Sequence, residues 1–367
     1  MKTVRFVGLD VHKESIAIAV AEEGGGEPGL LATIPNDTVL LCKRLSKLGS
    51  KSELRCCYEA GPTGYGLYRD LKAAGISCVV IAPSLVPVQV GSRVKTDRRD
   101  AVKLARFLRS GDLTEVYVPD ASTEAMRDLE RARDDARKAE RAARHQLGKF
   151  LLRHGRIYPG KTTWTAKHLI WIRQQAFDRE AQRRVLTDYL HAVEEATERV
   201  GRLSQDIGEL VESWHLAPLV KSLQTLRGIR LTTAVVIAAE LGDLSRFRNA
   251  PQLMAYVGLV PSEYSSGDSR QRGRITKTGN SHVRKALVES AWSYRFRPAM
   301  STEIRERNRD AAPTVRAIAW KAQLRLHHRY ARMMGRGMNK QRTVTAIARE
   351  LAGFVWAIGR EQGQMAS

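Results

Sequence analysis

Five stretches near the amino terminus, residues 3–9, 14–21, 29–34, 53–58 and 77–82, carry the β-branched and apolar runs of strands with a buried face. Between and after them, at 37–48, 63–74 and 98–109, apolar positions recur every three or four residues, the period of a helix with one buried side. Three early strands separated by short turns predict an antiparallel meander. The later strands alternate with helices and predict parallel crossovers, which makes residues 1–120 an α/β domain with VYVPD at 116–120 as its exit.

Beyond residue 120 the period stays helical. Residues 121–156 and 178–213 are heavily charged, and the second carries Leu186, Leu190, Val193, Val200, Leu203, Ile207 and Leu210 at spacings of three, four and seven. That spacing predicts an antiparallel helical hairpin or coiled-coil arm over 121–215, used either for dimerisation or for packing within the chain. A mainly helical domain is expected over 216–367. It opens with two helices around a Gly-containing turn at 216–242, similar to a helix-hairpin-helix whose second helix offers free amides to a phosphate; Arg230 stands where that pattern repeats glycine, and plain helix packing is the alternative. Pro313 suits a first helical position, and Val315, Ile318, Ala322, Leu326, Tyr330 and Met333 form a core-facing stripe. Arg316, Lys321, Arg325, Arg329, Arg332 and Arg336 are left free to meet phosphates. A last helix spans 339–359, and the polar, glycine-rich segment 262–281 reads as an irregular loop.

Composition narrows the class. With 367 residues, 43% of them hydrophobic, the chain can build two or three domains with cores and is not disordered. Its 61 Lys and Arg against 39 Asp and Glu leave a charge of +22, which calls for a polyanionic partner, nucleic acid first. Residues 265–342 alone hold 19 basic against 5 acidic side chains, so the phosphate-binding surface is expected there. Four cysteines without a C-x-x-C pair suit a reducing cytosol, and the nine histidines show no zinc-ligand spacing. MKTVRFVGLDVHK lacks an export signal's apolar core, and no run approaches a membrane span, so a soluble cytoplasmic protein is expected.

The candidate chemistry rests on four acids and a serine loop. Asp10 closes the apolar run VRFVGLD and Glu59 closes LRCCYE, so both should emerge at a sheet's edge; Asp97 and Asp100, in KTDRRDA, share one face of a helix start. Taken singly, each is an ordinary turn or cap residue. Together they form a mutually repelling anion cluster that makes sense when Mg2+ or Mn2+ neutralises it, a donor set suited to phosphoryl transfer. In PSEYSSGDSRQRGRITKTGN, Ser265 and Ser266 precede Gly267, with Ser269 following, and Arg270, Arg272, Arg274 and Lys277 could screen a phosphate under attack. Residue types do not choose among the serines, and a plain surface loop is the alternative.

The segments VGLDVHKESIAIAV, YEAGPTGYGLYRDLKAAG and KTDRRDA resemble the RuvC-like DEDD domain of the insertion-sequence family 110 transposases, a group that includes the Piv DNA invertase. FRNAPQLMAYVGLVPSEYSSGDSRQRGRITKTGNSHVRKALVESAW resembles that family's carboxy-terminal transposase domain. The resemblance implies an RNase H-like fold for residues 1–120 and Asp10, Glu59, Asp97 and Asp100 as ligands of Mg2+ or Mn2+. It implies Ser266 as the nucleophile that forms a 5'-phosphoserine link to DNA. It further implies donor and target double-stranded DNA, a structured guide RNA encoded beside the gene, dimers pairing into tetramers with sites shared between subunits, and a nucleoid-associated place in a prokaryotic cytoplasm. Arg270, Arg272, Arg274, Lys277, Arg284, Lys285, Arg325 and Arg329 are the expected nucleic-acid contacts. Two other readings compete: a junction-resolving nuclease in which the same acids activate water, and a nucleic-acid scaffold with a degenerate metal site. The complete set of acids argues against the scaffold, and the serine module argues against the nuclease.

Overall fold

The structure, a computed structural model, describes residues 3–87, 96–266 and 269–366, and the chain divides into two compact units, Met1–Val118 and Pro119–Ser367. The first unit is α/β. Strands β1 (Arg5–Val11), β2 (Ser15–Glu22) and β3 (Gly25–Pro35) lead to helix α1 (Thr38–Leu45), and β4 (Leu54–Glu59), α2 (Gly66–Ala73), β5 (Ser77–Ile81) and α3 (Asp97–Ser110) follow. The sheet order is β3-β2-β1-β4-β5, with β1–β2 and β2–β3 antiparallel and β1–β4 and β4–β5 parallel. This is the expected meander extended by parallel strands. Period-two alternation sends Val7, Leu9, Ile16, Ile18, Cys56 and Tyr58 into one core beneath Leu41, Leu45 and Leu71 of α1 and α2.

The opposite face is built of small residues. Ala17, Ala19 and Ala21 of β2 meet Ala101 and Ala105 of α3, and the Cys57 thiol points at the Leu104 carbonyl, 3.8 Å away. Gly8 lies in the middle of β1, where a Cβ would overlap the Ala101 carbonyl and the Ala105 amide. The missing side chain lets α3 lie directly on the strand.

The second unit is mainly helical: α4 (Ala121–Arg153), α5 (Ala166–Arg173), α6 (Glu180–Val211), α7 (Ala217–Leu223), α8 (Leu231–Leu241) and α9 (Ala250–Tyr256), then strands β6 (Pro261–Ser266) and β7 (Ser269–Ile275), then α10 (Ser281–Ala291), α11 (Thr302–Asn308), α12 (Pro313–Gly335) and α13 (Lys340–Ala366). Helices α4 and α6 run antiparallel. Arg133 Nε donates to Ser204 Oγ at 2.7 Å and Thr197 Oγ1 to Glu140 Oε1 at 3.1 Å, so positions shift in opposite directions along the pair. The apolar stripe of α6 is therefore used within the chain, where Leu186 and Val193 join Leu147, Phe150 and Ile172. Leu210 departs from the expected stripe and is 53% exposed.

The rest of the unit closes around α8, whose residues from Ala234 to Leu241 are all buried, with Val315, Ala322 and Leu326 of α12 and Val344, Ile347, Leu351, Val355 and Ile358 of α13. The turn before α8 uses Gly228 at φ +85°, packed so closely that a Cβ would sit 2.5 Å from the Ser290 carbonyl. Arg230 does not point into that turn, because its Nε pairs with Glu303 at 2.9 Å. The segment expected to be irregular is instead an antiparallel hairpin, β6–β7, with Ser265 opposite Arg270 and Ser266 opposite Ser269. Among the described residues no helix is long and apolar enough to cross a membrane.

Candidate functional site

Two features of the first unit set its acids at one sheet end, where Asp10 and Asp97, with His12, come within ligand distance of one another; Glu59 and Asp100 are not part of that trio. Parallel pairing of Leu9 with Tyr58 sets Glu59 beside Asp10 at the carboxyl ends of β1 and β4, and the close approach of α3 over Gly8 lowers its first turn onto the same sheet end. Thr96 caps that helix by accepting from the Arg99 amide at 3.4 Å, which starts the helix at Asp97 and puts Asp97 and Asp100 in its first turn. Carboxylates there lie at the favourable end of the helix dipole. Lys95, the first residue of the KTDRRDA motif, lies outside the described residues.

His12 completes the cluster. Its Nε2 is 3.3 Å from Asp10 Oδ2 and 3.5 Å from Asp97 Oδ1, and the three ligand atoms lie within 4.8 Å of one another. His12 is not among the residues named with the acids from sequence: the β1–β2 turn, closed by the His12 amide donating to the Ser15 carbonyl at 2.8 Å, carries the imidazole back over them. Burial raises the Asp10 carboxyl above the usual aspartate range; the charge and hydrogen bond of His12 oppose that shift, and Asp100 and Asp97 add to it. A half-buried acid pressed by two further carboxylates is what a divalent cation would relieve, and hard oxygen donors with one imidazole fit Mg2+ or Mn2+.

In the second unit, Ser266 is the last residue of β6. The side chains of Ser265, Ser266, Ser269, Arg270 and Arg272, and all of Gly267 and Asp268, lie outside the described residues. The base of the hairpin is firmly seated. Thr276 donates its amide to the Val260 carbonyl at 2.9 Å, Lys277 donates to Gly258 at 3.1 Å while adopting φ +57°, and a Cβ at Gly279 would overlap the Tyr256 carbonyl.

Several cations expected to meet phosphate already have partners. Arg284 donates to the carbonyls of Val257 and Thr278 at 2.9 and 3.0 Å, tying the hairpin base to α10. Lys285 Nζ is 2.7 Å from Asp134 of α4. Arg325, at 3.2 Å, and Arg329 both engage Glu350 of α13, so neither is the free cation that the helical stripe suggests. Arg274 and Lys277 line a groove with Arg342 and Arg349.

A second acid–histidine trio, Glu130, Glu240 and His282, lies inside the second unit. Glu240 is not available to a cation. Arg131 binds it through Nε at 2.8 Å, Asn280 donates at 2.7 Å and Arg127 lies 3.7 Å away; these partners outweigh burial and keep its carboxyl below the usual range. Glu130 has weaker help, from the charges of Arg133 and Lys285 alone. Its Oε2 is buried without a hydrogen bond, and burial, with Asp134 and Glu240 nearby, raises its pKa to about 7.

Comparison with known proteins identifies the family. Residues 7–155 match the model of the DEDD transposases of the IS110 group, and residues 220–305 match the transposase model of the IS116/IS110/IS902 family. A putative transposase of Sinorhizobium fredii is 47% identical over 99% of this chain and 90% of its own length. The transposase for insertion sequence element IS1533 of Leptospira borgpetersenii is 34% identical over 90% of this chain and 96% of its own. The transposase for IS1111A of Coxiella burnetii is 23% identical over 98% and 90%. Alignment at this identity along nearly the whole length, with both models matched in order, shows that the chain belongs to the IS110 family of transposases.

Proposed function

We propose that this transposase exchanges DNA strands by serine transesterification assisted by a divalent metal held in an RNase H-like domain. The observation that carries the proposal is the convergence of Asp10, His12 and Asp97 at one sheet end, with Glu59 beside Asp10 and Asp100 in the same helical turn. Asp10, Glu59, Asp97 and Asp100 are the proposed ligands, and His12 either joins them or orients Asp10. When bound, the cation would neutralise charge on the scissile phosphate and favour the leaving oxygen.

The chain's own residues do the rest. Ser266 Oγ loses its proton and attacks phosphorus, the P–O bond to the 3' oxygen breaks, and that oxygen takes up a proton. The 5' phosphate stays on the serine. Reversal on a different 3' hydroxyl rejoins the strands with the number of phosphodiesters unchanged, so no outside energy source is needed. The basic excess of residues 265–342 would hold donor and target duplexes and suits a structured guide RNA as well. Homo-oligomers that pair two DNA partners complete the proposal. The test is a reaction with donor, target and cognate RNA scored for recombinant junctions. Junctions that vanish on chelation and return with Mg2+ or Mn2+ support the reading, and undiminished junctions without RNA remove guidance from it.

A further inference from the structure

A groove of about 610 Å³ runs along the base of the β6–β7 hairpin, between Pro261, Gly273 and Ile275 on one side and the first turns of α13 on the other. Its rim carries Arg274, Lys277, Arg329, Arg342 and Arg349, and among the described residues no carboxylate lines it. On α4 and α6, Arg144, Arg183, Arg184 and Arg202 each pair with an acid one turn away; here, among the described residues, Arg274, Lys277, Arg342 and Arg349 have no ion-pair partner. Four unpaired like charges around one groove repel each other and lower stability unless a polyanion covers them.

The floor is of another kind. Leu259, Pro261, Ile275 and Ala346 are apolar, and Gln341 and Thr345 add hydrogen-bonding groups at the edge. A duplex keeps its base faces stacked inside and could touch only the rim, leaving that floor without a partner. An unpaired nucleotide matches both parts, phosphates on the cations and a base face on the apolar floor. Tyr264, 78% exposed on the same hairpin, adds an aromatic surface for stacking a neighbouring base. Ser266 lies five residues along β6 from Pro261, roughly 17 Å at about 3.3 Å per residue. A strand that follows the hairpin away from that serine meets the groove within that distance.

We infer that this groove holds an unpaired stretch of the DNA strand being exchanged, a few nucleotides from the scissile phosphate. The choice of DNA over RNA rests on the serine reading above, because only the strand under attack must follow the hairpin. The groove accordingly selects for melted DNA ends rather than intact duplex.

Fluorescence anisotropy of the full-length protein tests it, with labelled single-stranded DNA of roughly 12 nucleotides, the matching duplex and single-stranded RNA of the same sequence. Arg342→Gln with Arg349→Gln should weaken single-strand binding at least tenfold and duplex binding less than twofold, and should lower the single-strand salt slope by about 1.4, the value for two phosphates. Ala346→Leu, which fills the floor, should weaken single-strand binding and leave the slope unchanged. Tyr264→Ala should reduce it further. Equal losses for duplex and single strand, unchanged single-strand binding in the variants, or tighter binding of RNA than of DNA would each overturn the inference. These are binding measurements that need no strand exchange, so such a result leaves the serine mechanism standing; conversely, a transposase lacking the serine adduct but showing the predicted selectivity keeps the groove as an unpaired-strand site and removes only its DNA assignment.

Discussion

Asp10 illustrates how one residue inherits its chemistry from its place. The apolar run before it buries β1, the strand ends at the sheet edge, and the carboxylate emerges half-buried, its pKa raised by that burial and to a smaller degree by Asp100 and Asp97. Asp10→Ala should abolish strand exchange and Mn2+ binding followed by calorimetry, with an unchanged circular dichroism spectrum; retained Mn2+ affinity would remove it from the metal set. His12→Ala should weaken the metal by about 10- to 100-fold, the usual effect of losing an orienting or weakly coordinating group. That histidine was not legible as a participant, because its neighbour Asp97 is far away along the chain and only the lie of α3 joins them. Glu130 supplies a pH prediction. Its folded pKa of about 7 lies above the unfolded value, so the stability it contributes is fully present below about pH 4.5 and is lost as pH rises through about 7. Glu130→Gln should therefore raise stability at pH 8 by up to about 3 kcal/mol and much less at pH 5, as read by denaturant unfolding. An equal effect at both pH values would mean that packing, not charge, governs the site.

At the scale of elements, what mattered was how closely backbones approach. Gly8 lets α3 sit on β1, and that contact delivers Asp97 and Asp100 to Asp10. Gly8→Val should cost about 1–3 kcal/mol through overpacking and weaken metal binding although no ligand is altered; unchanged metal affinity would show that α3 is not the positioning element. Arg284 makes the corresponding point in the second unit. Its burial depresses the guanidinium pKa, and its two carbonyl partners lock the hairpin base. Arg284→Gln should lower strand exchange strongly and DNA affinity less than threefold, whereas a direct phosphate contact would show the reverse. The strands of the first unit were readable because each has a buried face that imposes alternation, and their boundaries fall within a residue or two of expectation except at β3, which starts earlier through Gly25 and Gly26. The β6–β7 hairpin was unreadable for the converse reason: residues such as Glu263, Tyr264, Gln271 and Arg274 are exposed, so no apolar period marks it.

Across the whole molecule, +22 of charge announced a nucleic-acid partner but not which cations would meet it. Arg325 and Arg329 are matched to Glu350 by the packing of α12 on α13, and Lys285 reaches from α10 to Asp134 of α4, partnerships that no spacing along the chain reveals. Four cations that have no ion pair among the described residues lie beside the hairpin, where Arg342 and Arg349 of α13 meet Arg274 and Lys277 from nearly 70 positions earlier. Division of the chain at Val118 keeps the acid cluster in one unit and the serine hairpin in the other. The central claim is that these two centres serve one covalent exchange, and the nucleophile decides it. A nicked suicide substrate, denatured after reaction with metal, should leave the protein attached to the 5' phosphate, with the adduct mapping to residues 264–270. Ser266→Ala should lose adduct and recombinant product together while still binding DNA and Mn2+, and Ser265→Ala should retain part of both. Cleavage by Ser266→Ala that yields free 5' phosphates without protein would contradict the account and make water the nucleophile.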